Sequence, residues 1–417
     1  MTEKVEVVTF GCRLNLAESQ AIRELAGQGG ERGLVVVNTC AVTAESTRQA
    51  RQAIRRLKRE RPEARIVVTG CAAQIEPQEF AAMPEVAHVM GNAEKTRAVS
   101  WSGFTQKVNV APIGEATRRG NAPAPVLSSI EGHTRAFLAV QNGCDHSCTF
   151  CVIPAGRGGS RSVAPEAALT QARKFVETGH KEIVLTGVDL TSWGHDLFGA
   201  PKLGQLVRLL LRELPDLARL RLSSIDCIEA DADLLAAFAE EERLAPYLHL
   251  SLQSGDDLIL KRMKRRHSRA DSVAFCAALR RLRPDMVFGA DLIAGFPTED
   301  EAMAALSLAL IEDCGLSFLH VFPFSPRPGT PAARMPQVAP EVVKARAAWL
   351  REAGDEAFRR HLAARVGRSL SILTERGGMG RAADFTPVRA PGLAPGLLLS
   401  GRALGVSGGA LEVSFSS

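Results

Sequence analysis

The 417-residue chain lacks any apolar run approaching the roughly 18 residues that cross a bilayer. Its opening, "MTEKVEVVTFGC", also lacks the extended apolar core of a secretory signal and reads instead as a first strand. A cytoplasmic, monomeric protein with no membrane partner is the expectation. A strong charge imbalance is missing too: 51 Lys and Arg against 46 Asp and Glu leave +5, too little to argue for a polyanionic partner from the total. The basic residues nevertheless gather in "RQARQAIRRLKRER" (48–61) and "KRMKRRHSR" (261–269). Each run suits a phosphate backbone, and each equally suits a solvated helix face.

Cysteine is not scarce. Nine cysteines in a cytoplasmic chain argue against a disulfide framework and for metal or redox chemistry. The densest cluster is one short. "GCDHSCTFC" (143–151) carries Cys144, Cys148 and Cys151, whereas a structural zinc site takes four ligands. Thiolates at C-x3-C-x2-C on a tight loop suit a cuboidal iron–sulfur cluster, with three irons ligated and the fourth open to a small molecule. His146 lies inside this loop and is read as solvent-facing or as a partner to the ligands, not a ligand.

Three more cysteines recur with a pattern. "VEVVTFGC", "GLVVVNTC" and "ARIVVTGC" are β-branched runs that each end in a cysteine: Cys12, Cys40 and Cys71. Helical stretches lie between them, one capped by Thr43 and stopped at Pro62. Strand–helix alternation predicts a parallel sheet whose strand C-termini share one edge, so the three thiols converge there. They are either a second ligand set or small buried strand-end residues.

Residues 106–130 lose periodicity and read as a linker after a first α/β domain, 1–105. From 131 to 364 six strands alternate with helices, which predicts a parallel (β/α) barrel or part of one. Gly187, Asp189, Ser223, Ser224, Gln253 and Asp291 fall at or near its strand ends. Each could contact a ligand or serve as a turn, cap or buried hydrogen-bond group. Arg157 and Arg161 are candidate anion binders or plain loop charges. Residues 365–417 read as a small all-β module. Cys276 and Cys314 read as helix-borne core residues, and Phe322 and Phe324 as core or cavity wall.

The spacing C-x3-C-x2-C, with Phe150 before the last cysteine, resembles the radical S-adenosylmethionine (SAM) superfamily. The fuller resemblance is to the methylthiotransferases. "TFGCRLNLAES", "NTCAVTAESTRQARQAIR", "VTGCAAQ", "QNGCDHSCTFCVIP", "HLSLQSGDDLILKRM", "DLIAGFPTE" and "FSPRPGTPA" follow in family order. This implies one [4Fe–4S] cluster on Cys144, Cys148 and Cys151, with SAM on its open iron. It implies a second, auxiliary [4Fe–4S] cluster on Cys12, Cys40 and Cys71, and a C-terminal module like the RNA-contacting TRAM barrel. "FLHVFPFSPRPGT" with "HLSLQSG" is most similar to the branch acting on N6-threonylcarbamoyladenosine. The implied reaction is C2-methylthiolation of adenosine 37 in ANN-decoding tRNAs, using two SAM per turnover. Partners would be the anticodon stem-loop, an electron donor and a sulfur source. Branches acting on isopentenyladenosine or a ribosomal-protein aspartate share all six cysteines. A rival of another class is a non-catalytic Fe–S or zinc protein that binds RNA. Ala155, Gly159, Lys264 and His267 depart from the family's usual Tyr, Arg, Asn and Tyr.

Overall fold

The computed structural model describes residues 5–29, 33–114 and 134–415. Strands β1 (Glu6–Thr9), β2 (Leu34–Thr39) and β3 (Arg65–Gly70) form where the β-branched runs stand. With β4 (Val86–Met90) and β5 (Val108–Asn109) they make one parallel sheet in sequential order. Strand β5 lies inside the stretch read as linker, and residues 115–130 of that stretch are outside the described residues. Helices α1 (Arg13–Gln28) and α2 (Ala44–Glu60) supply the first crossovers. The Thr43 side chain caps α2 by accepting from the Ser46 amide. Ala50, Ala53, Ile54 and Leu57 are buried at i, i+3, i+4 and i+7, so the arginines of α2 face outward. Short helices α3 (Cys71–Ile75) and α4 (Pro77–Ala81) follow β3 directly.

The central domain opens with β6 (Arg135–Ala139) and a hairpin of β7 (Gln141–Asn142) and β8 (Arg161–Ser162). The hairpin clamps the two ends of the Cys144–Cys151 loop and of α5 (Ile153–Arg157). The remaining barrel strands are β9 (Glu182–Thr186), β10 (Arg219–Leu222), β11 (Ser224–Ile225), β12 (Tyr247–Gln253), β13 (Val287–Ala294) and β14 (Leu316–Pro323). All pair in parallel, in the order β6–β9–β10 and β11–β12–β13–β14. β10 and β11 are one strand interrupted at Ser223, so six staves form a partial barrel. Helices α6 (Pro165–Glu177), α7 (Leu203–Glu213), α8 (Ala232–Glu240), α9 (Asp257–Arg262), α10 (Arg269–Leu282) and α11 (Glu301–Asp313) cover its outside. Burial on both faces is why the staves are nearly continuous apolar runs.

Helix α12 (Pro340–Arg365) leads into a closed five-stranded barrel of β15 (Ser369–Glu375), β16 (Met379–Ala382), β17 (Pro387–Arg389), β18 (Leu398–Ser407) and β19 (Ala410–Phe415). This barrel docks at the base of the central one. Phe385 stacks on Tyr247 with centroids 5.0 Å apart, and Arg219 donates to the Ser371 carbonyl at 3.0 Å. The "RLRL" strand turns Arg219 and Arg221 onto buried Glu182 at 3.0 and 2.7 Å. Cys276 and Cys314 are fully buried core residues. No helix among the described residues is long and apolar enough to cross a membrane.

Candidate active site

Parallel topology puts the ends of β1, β2 and β3 on one edge, and that edge faces the barrel mouth. Between them lies a cavity of about 1000 Å³. Cys12, Cys40 and Cys71 line one side; Thr186, Gly187, Ser223, Ser224, Ser251 and Asp291 line the other. Gly11 (φ +91°) lets the chain turn beside Cys40, since a Cβ there would lie 2.6 Å from the Cys40 Sγ. The Val42 amide points at the Cys40 Sγ at 3.5 Å.

The second thiol set lies beside this cavity, and none of Cys144, Cys148 and Cys151 is in its wall. Gly143 (φ +76°) starts the loop, where any Cβ would strike the Gly159 carbonyl. The His146 and Ile153 amides each approach a sulfur at 3.4 Å, of Cys144 and Cys151 respectively. Arg265 reaches the Cys148 Sγ at 3.7 Å. Thr149 fastens the loop through its hydroxyl to the Arg262 carbonyl at 2.8 Å. Helix α5 then carries the chain onto α3, so Ile153 and Arg157 enter the cavity wall beside Cys71.

Burial pushes the Cys40 and Cys144 thiols up to about 12 and the Cys151 thiol to about 11. Thiolates at these positions therefore need a bound cation, which ligated iron supplies. Ser223 adds a buried hydroxyl with no hydrogen-bond partner at the cavity wall. Amide-to-sulfur contacts, thiols gathered in threes and an orphaned polar atom fit a pair of thiol-ligated clusters and a polar small molecule.

Several residues singled out in the sequence stand elsewhere. Arg157 is not an anion binder. Its Nε donates to the Cys71 Sγ at 3.1 Å, Nη1 to Glu18 (2.7 Å) and Asn142 (2.9 Å), and Nη2 to Asn15 (2.5 Å) and Glu18 (2.9 Å). All five N–H groups are occupied, so none is left for a ligand. Arg161 donates to the Gly159 and Arg157 carbonyls at 2.9 and 3.0 Å, which occupies two of its five N–H groups. Asp189 sits outside the cavity wall. It accepts from Ser192 at 2.6 Å and meets His146 at 2.8 Å, next to the Cys144 sulfur. That hydrogen bond raises the His146 pKa. Gln253 ends β12 at φ +69°, outside the cavity wall. His267 is buried on the Leu252 carbonyl, away from the cavity, and Lys264 has φ +57°, a conformation that suits Asn better than Lys.

The sequence reading missed a cluster on the barrel's inner face. Asp291 accepts from His249 Nε2 at 2.9 Å and from His320 Nδ1 at 3.1 Å. The Tyr247 hydroxyl meets His249 Nδ1 at 3.0 Å. Burial would raise the Asp291 pKa, but the two imidazoles hold it well below the carboxylate range. One signal was present: each of "LHL", "FGADLIA" and "FLHVFP" has a single polar residue amid apolar neighbours. Phe322 and Phe324 line the cavity, as the wall reading has it.

Residues 138–311 match the radical SAM superfamily, and residues 4–91 match the uncharacterized protein family UPF0004. The fold resembles TsrM, a radical SAM methyltransferase from Kitasatospora setae with cobalamin and a [4Fe–4S] cluster bound. The TM-score is 0.52 at 15% identity, covering 78% of this chain and 77% of that one. Fold and thiol loop together define a radical SAM protein. The chain is 46% identical to the threonylcarbamoyladenosine tRNA methylthiotransferase MtaB of Rickettsia prowazekii, over 92% of this chain and 90% of that protein. It is 35% identical to the MtaB of Thermotoga maritima, over 89% and 86%. It is also 36% identical to a tRNA-2-methylthio-N(6)-dimethylallyladenosine synthase of Cereibacter sphaeroides, over 90% and 88%. The chain belongs to the radical SAM methylthiotransferase family, transferases that use SAM and [4Fe–4S] clusters.

Proposed function

We propose that this protein methylthiolates C2 of N6-threonylcarbamoyladenosine at position 37 of ANN-decoding tRNAs. The 46% identity to an MtaB across nearly the whole chain carries this reading. The dimethylallyladenosine synthase at 36% makes the prenylated base the second candidate.

Cys144, Cys148 and Cys151 would hold the cluster that binds SAM, and Cys12, Cys40 and Cys71 the auxiliary cluster. Gly187, Ser223, Ser224 and Asp291 line the cavity that SAM and the base would share. Bound there, the clusters and SAM supply radical chemistry, which C2 of adenine needs because it has neither an acidic proton nor a leaving group. The chain's own residues position and shield. Leu14, Ile153, Phe322 and Phe324 give the cavity apolar walls that exclude water. Gln141 Oε1 accepts from the Val188 and Asp189 amides at 2.9 and 2.8 Å, fixing the Gly187 turn.

The anticodon stem-loop would enter over α2. A second groove beside the cavity is lined by Arg48, Arg51, Arg55 and Arg327. Arg327 is buried against Glu76 at 3.8 Å, which leaves the outward-facing arginines of α2 to meet phosphates. The run at 261–269 is a poorer candidate, because Arg265 pairs with Asp226 at 2.6 Å and His267 is buried. The test is mass spectrometry of tRNA nucleosides from a deletion strain. Loss of 2-methylthio-N6-threonylcarbamoyladenosine alone supports the proposal; loss of a methylthiolated prenyladenosine overturns it.

A further inference from the structure

The charges of the cavity wall do not cancel. Its ionic residues are Arg13, Arg157 and Arg351 on one side of the balance and Glu45 and Asp291 on the other. Arg157 is neutralised by Glu18 and Glu45 by Arg48 at 2.7 Å, while the Asp291 carboxylate keeps its charge and is occupied by hydrogen bonds from two imidazoles. Arg13 and Arg351 remain. The Arg13 guanidinium has no hydrogen bond and no ion pair among the described residues, only the Phe385 ring at 5.6 Å. Glu182, the carboxylate whose charge reaches it, is already held by Arg219 and Arg221. Arg351 uses Nη2 on the Val321 carbonyl at 3.2 Å. His320 uses Nδ1 on Asp291, which leaves Nε2 without a partner on a side chain that is 59% exposed.

A half-buried guanidinium with no counter-ion is costly unless an anion arrives, and its planar fork matches a carboxylate. We infer that Arg13, which shares the cavity wall with His320 and Arg351, reads a carboxylate on the N6-substituent of the target adenosine and so decides which modified base is accepted. This rests on the proposed substrate, whose threonyl group ends in a carboxylate. A prenyl group would leave Arg13 desolvated and unpaired, and hydrogen-bonding sites reject analogues lacking the bonded group far better than apolar pockets reject an added one.

The experiment uses the full chain, anaerobically reconstituted, and three anticodon stem-loops. One carries the threonylcarbamoyl group, one the same group with its carboxylate converted to a carboxamide, and one the prenyl group. For the wild type, kcat/KM falls at least about 30-fold from carboxylate to carboxamide, mainly through KM. Arg13→Met and Arg351→Met each lose most of that preference, and Arg13→Lys keeps part of it. Equal wild-type kcat/KM on carboxylate and carboxamide overturns the inference, whatever the variants do. Iron-replete Arg13→Met and Arg351→Met that both keep the full preference overturn it too. Wild-type turnover of the prenyl stem-loop in place of the threonylcarbamoyl one instead overturns the substrate reading beneath it.

Discussion

Arg157 is the residue through which the two thiol-bearing regions meet. It leaves the short helix that follows Cys151 and donates to the Cys71 sulfur and to Glu18 of α1. Removing one partner of such a buried pair costs about 3 kcal/mol or more. Arg157→Met is expected to lower Tm and, in reconstituted protein, to shift the reduction potential of the auxiliary cluster, since hydrogen bonds to cluster sulfur set it. An unchanged potential would remove the assignment of Cys71 to that cluster. Glu18 also gives a pH signature. Burial would raise its pKa, but Arg157 and Lys95 hold it down to about 2 from the ordinary 4.5. A depressed carboxylate stabilises the fold above its unfolded value, and that contribution disappears as pH falls through the folded one. Glu182 behaves alike, lowered to about 2 beside Arg221 and Arg219. Stability contributed by these carboxylates should therefore fall between about pH 4.5 and 2, with a shallower acid limb for Glu18→Gln in thermal unfolding.

At the scale of elements, α2 presents the prediction easiest to isolate. Its buried stripe is Thr47, Ala50, Ala53, Ile54 and Leu57, so Arg48, Arg51 and Arg55 can change without disturbing the core. Replacing all three with Gln should reduce the slope of log K against log salt for tRNA binding by about 2.7, at roughly 0.9 for each phosphate no longer neutralised. An unchanged slope would move the RNA path off this helix. The strands, crossovers and both thiol sets were legible in the sequence because each rests on local periodicity or spacing. The role of Arg157 was not. A loop arginine near a cluster motif looks the same on paper whether its donors face a ligand or the loop's own carbonyls. The alternation of "RLRL" suggests a solvent face, yet that face is the barrel lumen, where Glu182 waits. His249 and His320 escaped notice because their partner, Asp291, is 42 and 29 residues away.

On the scale of the whole molecule, Phe385 ties the three parts together. Held at φ +74° in a turn of the C-terminal barrel, it stacks on Tyr247 and lies 5.6 Å from Arg13 and 5.3 Å from Arg221. Tyr247 in turn touches His249 and, through it, Asp291. Truncation of a packed Phe costs about 3–5 kcal/mol. Phe385→Ala should loosen the C-terminal barrel from its seat, seen as earlier proteolysis near Gly367. Protection equal to wild type would show that the docking does not depend on this ring.

The central claim is that one cavity serves two thiol-ligated clusters and a threonylcarbamoylated base. The most direct measurement is nucleoside mass spectrometry after the reconstituted enzyme, SAM and a reductant act on an N6-threonylcarbamoyladenosine stem-loop, with Cys71→Ala beside wild type. Wild type should carry about eight irons and form the 2-methylthio nucleoside; Cys71→Ala should carry about four and form none. Full product from Cys71→Ala, or none from iron-replete wild type, would contradict the account.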